Sequence, residues 1–249
     1  MIRIENIHKK FADKPVLNGI SCEFAPGQTN LIIGRSGSGK TVLLKSVVGL
    51  HEVDRGSISY DGEEFVNAGA KKRRQIRRQV GMVFQGGALF TSESVENNVR
   101  FPLEMFSDLS KQDKQKRVNE CLERVGVEDV NDAFPSEISG GMQKRVAIAR
   151  AIVLNPRYLF CDEPNSGLDP RTAIRIDELI HEITLEYNMT TIINTHDMNS
   201  VMQIGDHIIY LHEGKKWWEG EKSEIFDTGN KQFNDFVFAS EMTKKLVKS

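Results

Sequence analysis

Apolar and polar residues alternate through IRIENI near the N-terminus and again through VLNGISCEF, on either side of a turn at residues 13–15. A period of two marks strands with one buried face, so these runs predict an antiparallel β element. TNLIIG then forms a short apolar strand ending in glycine, and apolar residues recur at helical spacing from Lys40 to Val48. The order is strand, glycine-rich loop, helix. Residues 56–66 read as a hairpin around Asp61 and Gly62, a pair that supplies the positive φ angles a tight turn requires. A charged helix near residues 71–79 leads into the strand VGMVFQ.

Beyond Gln85 the pattern becomes mostly helical, through SVENNVRFPLEMF and SKQDKQKRVNECLERVGV, which predicts a helical lobe over residues 86–155. Alternation of strands and helices returns with RYLFCD, a helix over 171–187, TTIINTH, a helix over 198–204 and HIIYLHEG. This is an α/β chain. The expected organisation is one domain, with residues 1–85 and 156–220 as the core and 221–249 as a helical tail. The tail carries Phe233, Phe236 and Phe238, whose default role is to pack on their own domain rather than on another subunit.

Composition narrows the function. The 33 basic and 35 acidic residues nearly cancel, which argues against nucleic acid as a partner. The basic run KKRRQIRR at 71–78 is read as a solvated helix face in preference to a DNA or lipid-headgroup site. Cys22, Cys121 and Cys161 lack CxxC spacing and read as buried thiols of a reduced compartment. The charged start and the lack of any eighteen-residue apolar run predict a cytosolic chain that does not span a membrane.

The chemistry begins at Gly34, Arg35, Ser36, Gly37, Ser38, Gly39, Lys40 and Thr41, a G-x-x-x-x-G-K-T run between a predicted strand and a predicted helix. Glycines let backbone N–H groups converge on phosphate oxygens, and the helix N-terminus adds partial positive charge. Lys40 is placed to neutralise the outer phosphates, and Thr41 to offer Mg²⁺ a hydroxyl. The run Tyr158 to Cys161 delivers Asp162 and Glu163 to the carboxyl end of a buried strand, where ligands of such sheets bind. Asp162 suits Mg²⁺, and Glu163 suits proton removal from an attacking water. So far any phosphate-loop NTPase fits.

ISGGMQ at 138–143, followed by KRVAIARAI, closely resembles the signature sequence of ABC ATPases and its helix. Gln85 resembles the Q-loop glutamine of that family, Ser166 to Asp169 its D-loop, and His196 its switch histidine. The resemblance implies an ABC-type P-loop NTPase fold, with a mixed sheet core, an N-terminal antiparallel β element and an inserted helical lobe, acting on ATP with Mg²⁺. It implies that Gln85 touches Mg²⁺ and the attacking water, that His196 meets the γ-phosphate, and that Phe11 stacks on adenine. It further implies that Ser139, Gly140 and Gly141 complete the ATP site of a second copy. Met142 and Asn165 depart from the residues usual at their positions.

SGGM, together with FQGGALFTSESVENNVRFPLE at 84–104, also resembles the ATPases of Mla-type phospholipid transporters. That narrower likeness implies a lipid cargo, an MCE-domain lipid-binding partner and a place at the cytoplasmic face of the inner membrane. A membrane permease would dock against Ala88, Leu89 and Phe90, with Val99, Phe101, Pro102 and Leu103 beside them. Two other readings stay open: an importer ATPase for another small substrate, and a regulatory ATPase acting mechanically on a membrane partner, as in cell division.

Overall fold

A computed structural model describes residues 1–226 and 228–237. Two sheets carry the fold. An antiparallel sheet is built from β1 (Ile2–Phe11), β2 (Lys14–Phe24), β4 (Arg55–Tyr60) and β5 (Glu63–Glu64), in the order β2-β1-β4-β5. The larger sheet contains β3 (Gln28–Ile33), β6 (Val80–Val83), β7 (Tyr158–Asp162), β8 (Thr190–Thr195), β9 (His207–His212) and β10 (Lys215–Glu221), in the order β10-β9-β3-β8-β7-β6. All its neighbours run parallel except β10, which pairs antiparallel with β9. The β4–β5 hairpin turns at Asp61 and Gly62, both at positive φ, as that dipeptide predicts.

β7 and β8 are buried at every residue, because both faces of a parallel sheet are covered. Successive side chains go to opposite sides. Ile32, Phe160 and Ile192 join the antiparallel sheet and Leu43, Leu44 and Val47 of α1 (Lys40–Val48). Leu31, Ile33, Leu159, Cys161 and Ile193 join the helices on the other face. At about 1.5–3 kcal/mol for each large apolar side chain buried, this two-sided burial is the main force fixing strand register.

On that second face lie α3 (Val95–Phe106), α4 (Lys111–Arg124) and α5 (Gly140–Ile152), capped at their N-termini by Ser94, Ser110 and Ser139. Their apolar faces share one core with the central sheet rather than forming a core of their own. Between the helices, residues 86–94 and 125–139 hold no α-helix, so the region is less helical than its sequence suggests; Gly86, Gly87, Gly126 and Pro135 break it up. α6 (Pro170–Glu186) and α7 (Met198–Ile204) complete this side.

Three features were not foreseen. β10 arises from KKWWEGE, where the adjacent tryptophans hide the alternation and the register with β9 shifts between Lys216 and Trp218. The basic helix α2 (Ala70–Arg77) is more than a solvated face, since Arg73 and Arg77 lie over the Phe65 ring and Arg77 donates to the Gly49 carbonyl at 2.8 Å. Leu89, expected on a docking surface, instead packs against the core while Ala88, at a positive φ of 48°, and Phe90 stay exposed.

The tail's described part includes α8 (Lys231–Val237), where Phe233 stacks on Trp218 with ring centres 4.4 Å apart and Phe236 lies against Tyr210. Phe238 lies outside the described residues. The three cysteines are free and buried, and burial pushes the Cys121 thiol up to about 11 and the other two higher still.

Candidate functional site

Because β3, β8, β7 and β6 are parallel neighbours, their carboxyl ends open on one edge of the sheet. The loop at 34–41 follows β3, His196 follows β8, Asp162 and Glu163 end β7, and Gln85 follows β6. With strands about 4.8 Å apart, four sequence-distant segments fall within a span of about 15 Å.

The loop after β3 is shaped by glycine. A Cβ on Gly34 would meet the Leu211 carbonyl oxygen at 2.3 Å and Ser38 Oγ at 2.7 Å, and Gly39 sits at φ 104° against Val16 and Leu17 of β2. From behind, the Gly214 N–H donates to the Ser38 carbonyl at 3.1 Å, pinning the loop to the β9–β10 turn. Arg35, Ser36 and Gly37 form its exposed tip. Lys40 is buried, and its ammonium donates to the carbonyls of Gly34 at 2.8 Å and Arg35 at 3.3 Å. Burial lowers the Lys40 pKa, and the carboxylates of Glu163 and Asp162 oppose that shift. The buried Ser38 hydroxyl has no hydrogen-bond partner among the described residues. An orphaned hydroxyl in a glycine cradle at a helix N-terminus is what an anion site needs before its anion arrives.

Thr41 Oγ1 donates to Asp162 Oδ1 at 3.1 Å, and Asn194 Nδ2 donates to the same oxygen at 3.1 Å. Among the described residues, no group of three or more His, Cys, Asp or Glu side chains could hold a metal ion. A hydroxyl beside one carboxylate is a hard-oxygen pair with too few ligands to act alone, which fits Mg²⁺ shared with phosphate oxygens.

Glu163 is braced at both oxygens. Gln85 Nε2 donates to Oε2 at 3.1 Å, and His196 Nδ1 lies 3.1 Å from Oε1. Its backbone has φ 47°, a left-handed conformation costly for a side chain of this type and common at sites that need a fixed direction. Gln85 also donates to Ser166 Oγ at 3.3 Å, and its own carbonyl accepts from Lys144. Sequence reasoning passed over Lys144 and Asn194, although a lysine inside an apolar helix and an asparagine inside TTIINT were signals of a buried polar contact.

Phe11, at the end of β1, is 44 % exposed, with its ring edge-on to His51 at 5.3 Å and Lys9 Nζ 5.4 Å from its centre. Its strand partner Lys14 lies two residues before Val16, which packs against Gly39 of the loop. Ser139, Gly140 and Gly141 are placed elsewhere. Gly141 is so close to α6 that a Cβ would meet Thr172 at 2.8 Å, and Gly140 faces Leu168. No hydrogen bond among the described residues joins these three to the loop at 34–41.

A groove of about 920 Å³ opens beside Gln85. Ala88, Phe90, Phe101, Pro102 and Phe106 line it together with Arg73, Arg74, Arg77 and Arg78, and the Arg78 guanidinium lies over the Phe106 ring at 5.9 Å. Val99 and Leu103, one helical turn apart on α3, are core residues. Asn98 is fully buried and holds the loop from below: Oδ1 accepts from Phe90 N at 2.8 Å, and Nδ2 donates to the carbonyls of Phe90, Glu93 and Ser94. Arg150 fixes the Gly87 and Ala88 carbonyls at 2.7 and 2.8 Å.

A glycine phosphate cradle and a braced carboxylate on one edge of a parallel sheet define a phosphate-loop nucleotide hydrolase. The ABC transporter family model matches residues 17–166, and the chain belongs to that family. It is 38% identical over 230 residues to the methionine import ATP-binding protein MetN 2 of Pseudomonas entomophila, an alignment covering 91% of this chain and 69% of the relative. It is 39% identical over 226 residues to the MetN protein of Clostridioides difficile, covering 91% and 70%. The fold matches the dimeric, ADP- and Pi-bound post-hydrolysis state of the ATP-binding cassette MJ0796, with TM-score 0.81, 31% identity and coverage of 89% and 99%. It also matches cbiO1 of Clostridium perfringens, part of the transporter complex cbiONQ, with TM-score 0.84, 29% identity and coverage of 99% and 98%. The protein is an ATP-hydrolysing subunit of the ABC transporter class.

Proposed function

We propose that two copies of the chain bind and hydrolyse ATP between them to drive a membrane permease, and that the cargo is a small imported solute. The similarity to methionine importers across 91% of the chain carries the cargo reading. In this reading the amides of the loop at 34–41, with Lys40, hold the β- and γ-phosphates, and Phe11 stacks on adenine. Lys40 exchanges its two loop carbonyls for phosphate oxygens. Thr41, Asp162 and the Gln85 side chain would hold Mg²⁺, which when bound would neutralise charge on the phosphates. Glu163 takes a proton from a water as the water's oxygen bonds to the γ-phosphorus, and the bond from that phosphorus to the bridging oxygen breaks, leaving ADP and phosphate.

His196 and Gln85 hold Glu163 in the direction this step needs. Ser139, Gly140 and Gly141 make no hydrogen bond to their own loop among the described residues and lie beside Leu168 and Thr172, which leaves them free to meet the ATP held by the second copy. MJ0796 is described as dimeric in its ADP- and Pi-bound state. The groove between Phe90 and the α2 arginines would receive the permease, and its chemistry fits an amphipathic segment with acidic residues. No helix among the described residues is long and apolar enough to cross a membrane. The subunit would therefore sit peripherally, on the cytoplasmic face.

A second cargo reading rests on one observation. SGGM and the stretch 84–104 resemble the ATPases of Mla-type phospholipid transporters, which work with MCE-domain partners. Purifying the tagged chain with its membrane complex separates the two. Copurification of a solute-binding protein supports import, whereas an MCE-domain protein with bound phospholipid overturns it in favour of lipid transport.

A further inference from the structure

Asp177 lies on α6, buried between two segments that flank Glu163. Its Oδ2 accepts from Asn165 Nδ2 at 2.9 Å and from Ser200 Oγ at 2.6 Å, and Asn165 Nδ2 also donates to Ser200 Oγ at 3.0 Å. Asn165 immediately precedes Ser166, which receives the Gln85 amide. Ser200 sits in the first turn of α7, whose N-cap Asp197 is joined directly to His196. A groove of about 690 Å³ runs past Asp177, Asn165, Ser166 and His196.

We infer that Asp177 is a positioning residue, whose carboxylate ties the loop carrying Ser166 to the helix that follows His196, so that the two supports of Glu163 move together. This rests on the ATPase reading above. A carboxylate is a costly way merely to fill space between helices, and here Oδ1 is buried with no partner among the described residues. Burial pushes the carboxyl up to about 6, helped by the charges of Asp197 on α7 and Glu178 on its own helix, while the bonds from Ser200 and Asn165 favour the ionised form. On β7, the Cys161 thiol faces the same charge. Arg35 lines the groove beside it.

The test is steady-state ATP turnover by the full chain from pH 5.5 to 8, with KM for ATP and the melting temperature measured alongside. Asp177→Asn keeps the shape and an oxygen that can accept from Asn165 and Ser200, but removes the charge that strengthens both bonds, so kcat at pH 7.5 should fall about tenfold while KM changes less than about twofold. Exchanging the pair, Asn165→Asp with Asp177→Asn, restores one carboxylate to the same triad and should bring kcat to within about threefold of wild type. Wild type should lose turnover as the pH falls through about 6, and Asp177→Asn should lack that limb. Wild-type kcat in Asp177→Asn, or no recovery in the exchanged pair, overturns the inference. Should Asp177→Asn fail to fold, Ser200→Ala cuts the α7 side of the link alone; a loss of about fivefold supports the coupling and an unchanged rate overturns it. Glu163→Gln in the same assay tests the ATPase reading separately, whichever way the Asp177 variants fall.

Discussion

Asn98 offers a quantitative test of how the partner-facing loop is held. Asn98→Ala removes four hydrogen bonds, but they are not equal. The Ser94 carbonyl keeps the Asn98 backbone N–H at 2.9 Å, and the Phe90 carbonyl keeps the Glu93 N–H at 3.1 Å. The Phe90 N–H and the Glu93 carbonyl lose the side-chain partner that satisfied them. At about 1–3 kcal/mol for each group left unpaired, and allowing for partial access of water to the loop, the loss is about 3 kcal/mol. For a chain of 249 residues that lowers Tm by about 6–12 °C. Urea unfolding followed by tryptophan fluorescence measures the free energy, and scanning calorimetry measures Tm. Asn98 touches no residue of the phosphate site, so ATP turnover of the isolated chain should stay within about twofold of wild type. Copurification of the permease should weaken, because Phe90 loses its support. A stability change below about 0.5 kcal/mol would refute the claim that this amide holds the loop.

Gly34→Ala places a methyl group 2.3 Å from the Leu211 carbonyl, so the phosphate loop must shift; ATP affinity should fall by more than about tenfold, read by fluorescent nucleotide binding. Reversing Arg73, Arg74, Arg77 and Arg78 to glutamate should abolish permease copurification, if charge complementarity guides docking, while ATP binding by the free subunit persists. Asp177 also predicts a pH dependence of stability. The folded carboxyl keeps its proton up to about pH 6, while the unfolded chain ionises near 3.8, so folding takes up a proton between these values. Its stabilising contribution is therefore greatest at low pH and declines by about 3 kcal/mol as the pH rises through that window. Urea midpoints for wild type and Asp177→Asn at pH 4 and pH 7.5 should diverge in that direction.

The strands and the phosphate loop were legible because they follow local rules. Alternation fixes one-sided strands, and a glycine loop between a strand and a helix leaves few other uses for Lys40 and Thr41. Asp162, Glu163, His196 and Gln85 could each be placed at the end of a strand, and the parallel order of β6, β7, β8 and β3 is what brings them together. The remainder depends on partners distant in sequence. Nothing local in the basic run shows that its arginines share a groove with Phe90 and Phe106. Asn165 stood out as a departure from its family, but its purpose needed Asp177 and Ser200, 12 and 35 residues away. Leu89 was assigned outward with its neighbours, and only the turn of the loop at Ala88, with its positive φ, and the packing beneath it set it inward.

The central claim is that each phosphate loop is half of a site completed by Ser139 to Gly141 of a second copy. Glu163→Gln should bind ATP but slow its hydrolysis by about 10²- to 10⁴-fold, trapping the closed state. Light scattering of this variant should then show one chain without nucleotide and two chains with Mg²⁺ and ATP, and adding Ser139→Arg to the same variant should abolish the ATP-dependent pair. A variant that binds ATP, hydrolyses it at the wild-type rate and remains a single chain throughout would contradict the account.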